Sequence, residues 1–201
     1  MADHIIADIA TLEARYGTPG HASLVKVADH LTPLYAKWIF ASRFCVVSTV
    51  GADGTDGSPR GDDGPVVQAL DRHTLLLPDW RGNNRMDTLR NIVADGRISL
   101  MFMVPQSNNV IRVNGAAHVS IDPALLGRFA RKGHEPRSVV VIKIAEIYSQ
   151  CARALLRAGL WSGEGAADLP SVGALLAEQE AGFDGARYDQ EWDARAAKTM
   201  W

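Results

Sequence analysis

Cysteine is scarce in this sequence: Cys45 and Cys151 are the only two among 201 residues. Two thiols cannot build the disulfide framework of a small secreted domain. No C-x-x-C pair occurs, and the six histidines show no zinc-type spacing, so no metal site is expected. Both cysteines sit in apolar or amphipathic contexts and are expected to be reduced and buried. Charge of one sign is also missing. Lys and Arg total 21 against 23 Asp and Glu, a net charge of -2. That balance gives no footprint for nucleic acid or for an anionic membrane. No apolar run approaches the roughly 18 residues that suggest a membrane span. The first residues, "MADHIIADIA", carry acids and no basic apolar leader, so a signal peptide is not expected. Two catalytic fingerprints are absent as well. There is no G-x-S-x-G nucleophile elbow and no G-x-G-x-x-G after a strand. The expectation left standing is a cytoplasmic domain of enzyme size.

Apolar residues are plentiful, at 47%, enough for a packed core. The length suggests one domain over 1–201, with N-terminal helices at about 3–41 and a C-terminal helical extension at about 149–201. Ile5, Ile6, Ile9, Leu12 and Tyr16 form one helical stripe over 3–16, broken by "GTPG" at 17–20. Thr32 caps a second helix over about 32–41, with Pro33 in its first turn. Then come short β-branched or apolar runs: "RFCVVSTV", "SPRGD", "PVVQAL", "HTLLLP", "ISLMFMVP", "NVIRVNGAAHVSI" and "RSVVVIKIAEIY". "GADGTDG" reads as a turn cluster. Short turns favour antiparallel pairing. Several strands are nearly continuous in apolar residues, which suits burial on both faces or closure into a barrel. The tail turns helical again in "QCARALLRAGLW", "SVGALLAEQEAG" and "DQEWDARAAKTM", with a joint at "SGEGAADLP".

Three stretches carry the functional signal. In "LLLPDWRGNNRMDTLRNI", residues 75–92, a strand hands over to a helix predicted at about 84–94. Free backbone N–H groups and partial positive charge collect at such a start, and phosphate binds there readily. Asn83 or Asn84 can cap the helix, and Arg85 adds a full charge. The plainer reading is a capped helix with Arg85 solvated or paired with Asp79 or Asp87. In "SPRGDDGP", 58–65, Arg60 lies on a short extended piece, Asp62–Gly64 forms a turn, and Gly61 allows close backbone approach. An ordinary hairpin with exposed charges is the alternative. In "VIRVNG", Arg112 interrupts an apolar strand. It either faces solvent by alternation or points at an anion or a polar ring edge.

Taken in order, "SPRGD", "LLLPDWRGNNRMDTLRNI", "VIRVNGAAHV" and "CARALLRAGLW" resemble the pyridoxamine 5′-phosphate oxidase-related superfamily, over about 35–161. The likeness is to a branch apart from the vitamin B6 oxidases. It implies a mainly β fold with peripheral helices (α+β), a six-stranded antiparallel FMN-binding split β-barrel of Greek-key type. It implies a homodimer with flavin mononucleotide, FMN, at the interface. The phosphate falls to Asn84 and Arg85, with Asn83 in the same loop and Arg60 on the preceding strand. The isoalloxazine edge falls to the backbone of Ser58, Pro59, Arg60 and Gly61 and of Pro78 and Asp79. B6 oxidases carry an Arg-Lys pair where this chain has Asn84-Arg85, so one positive charge is lost, and Arg81 or Arg60 is the candidate replacement. In a dimer, the segment 151–161 reaches the partner's flavin through Arg157 and Trp161, four apart on one helical face. Packing of Trp161 under its own barrel is the alternative. The function implied is a flavin-dependent oxidoreductase acting on a small molecule by hydride transfer. The alternatives are a flavin carrier or sensor without turnover, or a split barrel holding heme or a deazaflavin; heme would draw on His73 or His118 as axial ligand.

Overall fold

The computed structural model describes residues 4–131, 133–163 and 168–199. Seven strands form one antiparallel sheet. They are β1 (Phe44–Gly51), β2 (Gly54–Gly61), β3 (Gln68–Asp71), β4 (Thr74–Asp79), β5 (Arg97–Met103), β6 (Val110–Ser120) and β7 (Ser138–Gln150). Their spatial order is β2-β1-β5-β6-β7-β4-β3. Seven strands stand where six were expected, and the ladder is not closed, because β2 and β3 are not hydrogen-bonded to each other. The sheet nevertheless curls. Arg60 on β2 and Asp79 on β4, near opposite ends of the order, meet at 3.1 Å. One core cluster takes Val47 from β1, Leu75 and Leu77 from β4, Leu100 from β5, Val113 from β6 and Ile142 from β7. A sheet flat across seven strands could not bring these side chains together; right-handed twist and coiling can.

Strand pattern decides which faces are covered. In β4 Thr74–Pro78 are buried on both faces. Leu76 joins Phe129, Val139 and Val141 in a second cluster, while Leu75 and Leu77 face the main core. β5 alternates, burying Ile98, Leu100 and Phe102 and leaving Met101 38% exposed on the other face. The expected turn "GADGTDG" shrinks to Ala52 and Asp53, because Gly51 pairs with Gly54 and the rest joins β2.

Helices flank the sheet. The first is α1 (Ile9–Tyr16), shorter than the expected 3–16, and Asp8 caps it by accepting from the Thr11 N–H. Its apolar stripe buries nothing: Ile9, Leu12 and Tyr16 are all exposed. Then come α2 (His21–Val25) and α3 (Pro33–Ala41), the latter capped by Thr32 through the Tyr35 N–H. Next is α4 (Asp87–Ala94), which carries Ile92 into the core. After it come α5 (Pro123–Gly127), α6 (Arg153–Ala158), α7 (Val172–Gln179), α8 (Gly185–Gln190) and α9 (Trp192–Thr199). In the tail, α7 packs on α8 through Gly173 and Gly185, so closely that a Cβ on either would overlap the other's carbonyl oxygen. Trp192 stays 51% exposed. Cys45 is buried as expected, but Cys151 is exposed. Cys151 follows the last residue of β7, where the sheet no longer covers it. No described helix is long and apolar enough to cross a membrane.

Candidate functional site

The loop between β4 and α4 does not cap the helix as the sequence suggests. The helix starts at Asp87, and Met86 in the cap position contributes no side-chain bond. Asn83 instead accepts from the Arg85 N–H at 3.0 Å, an Asx turn. Asn84 takes a left-handed backbone, φ 60°, which asparagine tolerates better than most residues. These two local choices delay the helix and lift residues 81–85 over the end of β2.

Three adjoining cavities result, of about 460, 280 and 170 Å³. The largest of these three lies between Pro59–Asp63 and Leu77, Pro78 and Trp80–Gly82, with Val66 also in its lining. The second runs along Asp56–Pro59 to Asn83, Arg85 and Thr88. The smallest lies among Arg60, Asp79, Asn83–Met86, Leu89 and Arg137. Pro59 borders the first two; Arg60, Trp80 and Gly82 border the first and third; Asn83 and Arg85 border the second and third. The structure thus brings Ser58, Pro59, Arg60, Gly61, Pro78, Asp79, Asn83, Asn84 and Arg85 to the walls of these three adjoining cavities.

Cations and carboxylates alternate through it. Arg60 bridges to Asp79 at 3.1 Å, with both side chains mostly shielded from water. Burial pushes the Asp79 carboxyl above its ordinary value, against the opposing pull of Arg60 and Arg137. The Arg60 Nε is buried with no hydrogen-bond partner. Arg85 reaches Asp87 at 2.6 Å and keeps an 81% exposed side chain. Arg137 donates to the Asn84 side-chain oxygen at 2.6 Å, and its own backbone N–H donates to the Asp79 carbonyl at 3.0 Å.

Trp80 forms a wall of the first of these cavities and is held from two sides. Its indole N–H donates to Asp62 at 3.1 Å, and the Arg131 guanidinium lies over its ring at 5.2 Å. Arg131 bridges Asp62 at 2.8 Å and also Asp63. The Asp62 side chain is only 2% exposed, so its charge is balanced by Arg131 rather than by water. On the floor, Thr88 donates to Asp56 at 2.5 Å and ties α4 to β2. Sequence reasoning passed over Arg137, Arg131, Trp80 and Asp62 as site residues. Arg137 and Arg131 lie in a loop after α5 that carries no motif.

Three expected site residues lie elsewhere in the chain. Arg112 sits on β6 opposite Met101 and Tyr148, its guanidinium 5.3 Å from the Tyr148 ring centroid. Arg157 is exposed on α6. Trp161 does not share a helical face with it, because Gly159 enters the left-handed region and ends the helix at Ala158. The Trp161 indole N–H donates to the Ser107 carbonyl of its own chain at 2.8 Å.

The model of the pyridoxamine 5′-phosphate oxidase family matches residues 31–151. Among solved structures, HupZ of Group A Streptococcus superposes with a TM-score of 0.50 at 20% identity, covering 68% of this chain and 99% of that one. An FMN-binding protein of Syntrophomonas wolfei gives 0.43 at 16% identity, covering 58% and 80%. At such identities the likeness concerns the fold. No curated protein matches the sequence. The matched span runs from Leu31 through all seven strands and includes Arg60, Asp79, Arg85, Arg131 and Arg137. By that match, over more than half its length, the chain belongs to the pyridoxamine 5′-phosphate oxidase family.

Proposed function

We propose that the chain binds FMN noncovalently in the three adjoining cavities and works as an FMN-dependent oxidoreductase on a small molecule. The observation that carries this reading is the convergence on one space. The β2 backbone, the Asx-turn loop and the guanidinium groups of Arg60, Arg85 and Arg137 all border it. The residues fit the cofactor. The orphaned Arg60 Nε lacks an acceptor that a phosphate or ring oxygen supplies. Arg85 and Arg137 would hold the phosphate with Asn83 and Asn84. Arg137 thereby stands in for the positive charge lost where B6 oxidases carry Arg-Lys. The backbone of Ser58–Gly61 and Pro78–Asp79 would meet the ring, with Trp80 as the outer wall.

Bound flavin supplies the hydride chemistry. The chain's own residues bind, orient and shield, so no side chain has to serve as a catalytic base. We further propose a cytoplasmic homodimer of single split-barrel protomers, 1–201, with Arg112, Arg157 and Trp161 acting on the second copy's flavin. The outer face of β1, β5 and β6 supports the dimer. It holds a shallow, mainly apolar groove of about 600 Å³ that includes Val50, Ala116 and Ala145, beside exposed Met101. An isologous contact would cover it.

The test is to purify the protein, record its absorption spectrum and weigh any released small molecule. Two flavin bands and the mass of FMN are expected. A spectrum without them, unchanged after adding FMN, refutes the reading, and a heme or deazaflavin spectrum replaces it. Oxygen-driven reoxidation after reduction by a nicotinamide separates an oxidoreductase from a carrier. Light scattering that returns a monomer mass with flavin bound sinks the dimer.

A further inference from the structure

The segment between β6 and β7 acts on the first cavity without lining it. Arg131 borders none of the three cavities, yet it reaches three residues in the lining of the first, Asp62, Asp63 and Trp80. The segment is fastened on the way. Phe129 packs with Leu76, Val139 and Val141, and Trp80 packs against the same cluster. Gln68 donates to the Arg128 carbonyl, and Arg128 donates to the Ala69 carbonyl, both at 3.2 Å. Arg131 and His134 then exchange backbone hydrogen bonds of 2.9 and 2.8 Å. With its backbone fixed in this way, Arg131 delivers its guanidinium to one place.

That place is the Asp62 carboxylate, whose two oxygens are divided. Oδ1 accepts from Arg131 at 2.8 Å, and Oδ2 accepts from the Trp80 indole N–H at 3.1 Å. Asp62 is itself pinned, because its backbone N–H donates to the Arg43 carbonyl at 3.0 Å. The Arg131 guanidinium closes the circuit, 5.2 Å from the Trp80 ring centroid. Trp80 is therefore held both by its N–H edge and over its ring. A shielded ion pair is a weak source of stability, since desolvation offsets its attraction and apolar side chains of similar volume fill such a space as well or better. What the pair supplies, and apolar side chains do not, is direction: a fixed acceptor for the indole N–H.

We propose that Arg131 and Asp62 are positioning residues: they hold Trp80 in one orientation, and through it they set how tightly a flat ring seats in the first cavity. That the ring is a flavin's rests on the function proposed above. The hold on Trp80 does not.

The flavin-free full chain tests the hold. Subtracting the emission of the same protein carrying Trp80→Phe isolates the Trp80 signal. In Arg131→Met that signal should move to the red and be quenched more readily by acrylamide. Arg131→Met strands the shielded Asp62 charge, so it can fail to fold by circular dichroism. The double variant Asp62→Leu, Arg131→Met then takes its place, because it removes both charges together; it should release Trp80 alike. A Trp80 signal equal to wild type in either folded variant overturns the proposal.

Fluorescence titrations test the consequence, with riboflavin reporting the ring alone and FMN the ring plus its phosphate. Releasing Trp80 should weaken both by the same factor, about fivefold or more, the worth of one aromatic contact. Arg85→Ala should weaken FMN alone. In a Trp80→Leu background Arg131→Met should have no further effect on either flavin, because it acts through Trp80. Weaker FMN with unchanged riboflavin overturns the ring role and gives Arg131 to the phosphate. An undiminished further loss in the Trp80→Leu background also overturns it, since Arg131 is then merely structural. A wild-type protein that binds neither flavin refutes the FMN reading and the ring role with it, and the Trp80 signal still decides the hold.

Discussion

Arg60→Met tests how the flavin cavities are held together. Arg60 and Asp79 join the two ends of the curled sheet, with side chains only 25% and 17% exposed. Methionine keeps the aliphatic length and removes the charge. Asp79 then keeps only the more distant Arg137 as an opposing charge. Losing one charge-assisted hydrogen bond and stranding a mostly shielded carboxylate should cost about 2–3 kcal/mol. For a chain of this size that is a melting-point drop of roughly 5–10 °C. Asp79→Asn should cost less than about 1 kcal/mol, because it removes the desolvated charge and keeps an acceptor for Arg60. The double variant should recover most of the Arg60→Met loss, and the cycle measures the coupling.

The pH dependence has a definite sign. Burial raises the Asp79 carboxyl above its ordinary 3.8. A raised acid contributes stability that is fully present below the unfolded value and is lost as pH rises through the folded one. Arg60→Met raises Asp79 further, so its deficit should be small at the acid end and grow toward neutral pH. Thermal melts monitored by circular dichroism between pH 4 and 8 check this. An Arg60→Met variant as stable as wild type at pH 7, or a deficit that shrinks as pH rises, would refute the reasoning.

Arg85→Ala should weaken FMN binding about tenfold or more while leaving the melting point nearly unchanged, since its ion pair with Asp87 is solvent-exposed. Normal binding with early melting in a fluorescence titration would make Arg85 structural. Pyridoxamine 5′-phosphate should not be oxidised efficiently. The resemblance assigns the substrate phosphate of the B6 oxidases to a C-terminal Arg-x-His element, which residues 185–201 do not contain, and Arg195 there is stacked on Tyr188 at 4.4 Å and on Trp192 at 5.4 Å. Hydrogen peroxide released at about 1 per second or faster would overturn that expectation. Gly173→Ala should pry α7 from α8, at about 1–3 kcal/mol for the added Cβ. Hydrogen exchange should show the tail opening while the β-sheet amides stay protected.

The local pattern of the sequence determined the elements. Thr32 and Pro33 start α3, and alternation or continuous apolarity marks the strands, because caps and side-chain periods act within a few residues. It also marked the stretch that matters, "PDWRGNNR". Its local reading was ambiguous, since asparagine serves an N-cap and an Asx turn equally well. The tertiary structure chose the turn: Asn84 in the left-handed region is held by Arg137, 53 residues away. The same holds for Asp62, whose partner Arg131 is 69 residues on. Cys151, apolar in context, came out exposed because it lies beyond the end of β7. Charge pairing across such distances has no period in the chain. Only the curling of the sheet, which brings β2 against β4, determines which cations share a carboxylate and which are left to seek an anion.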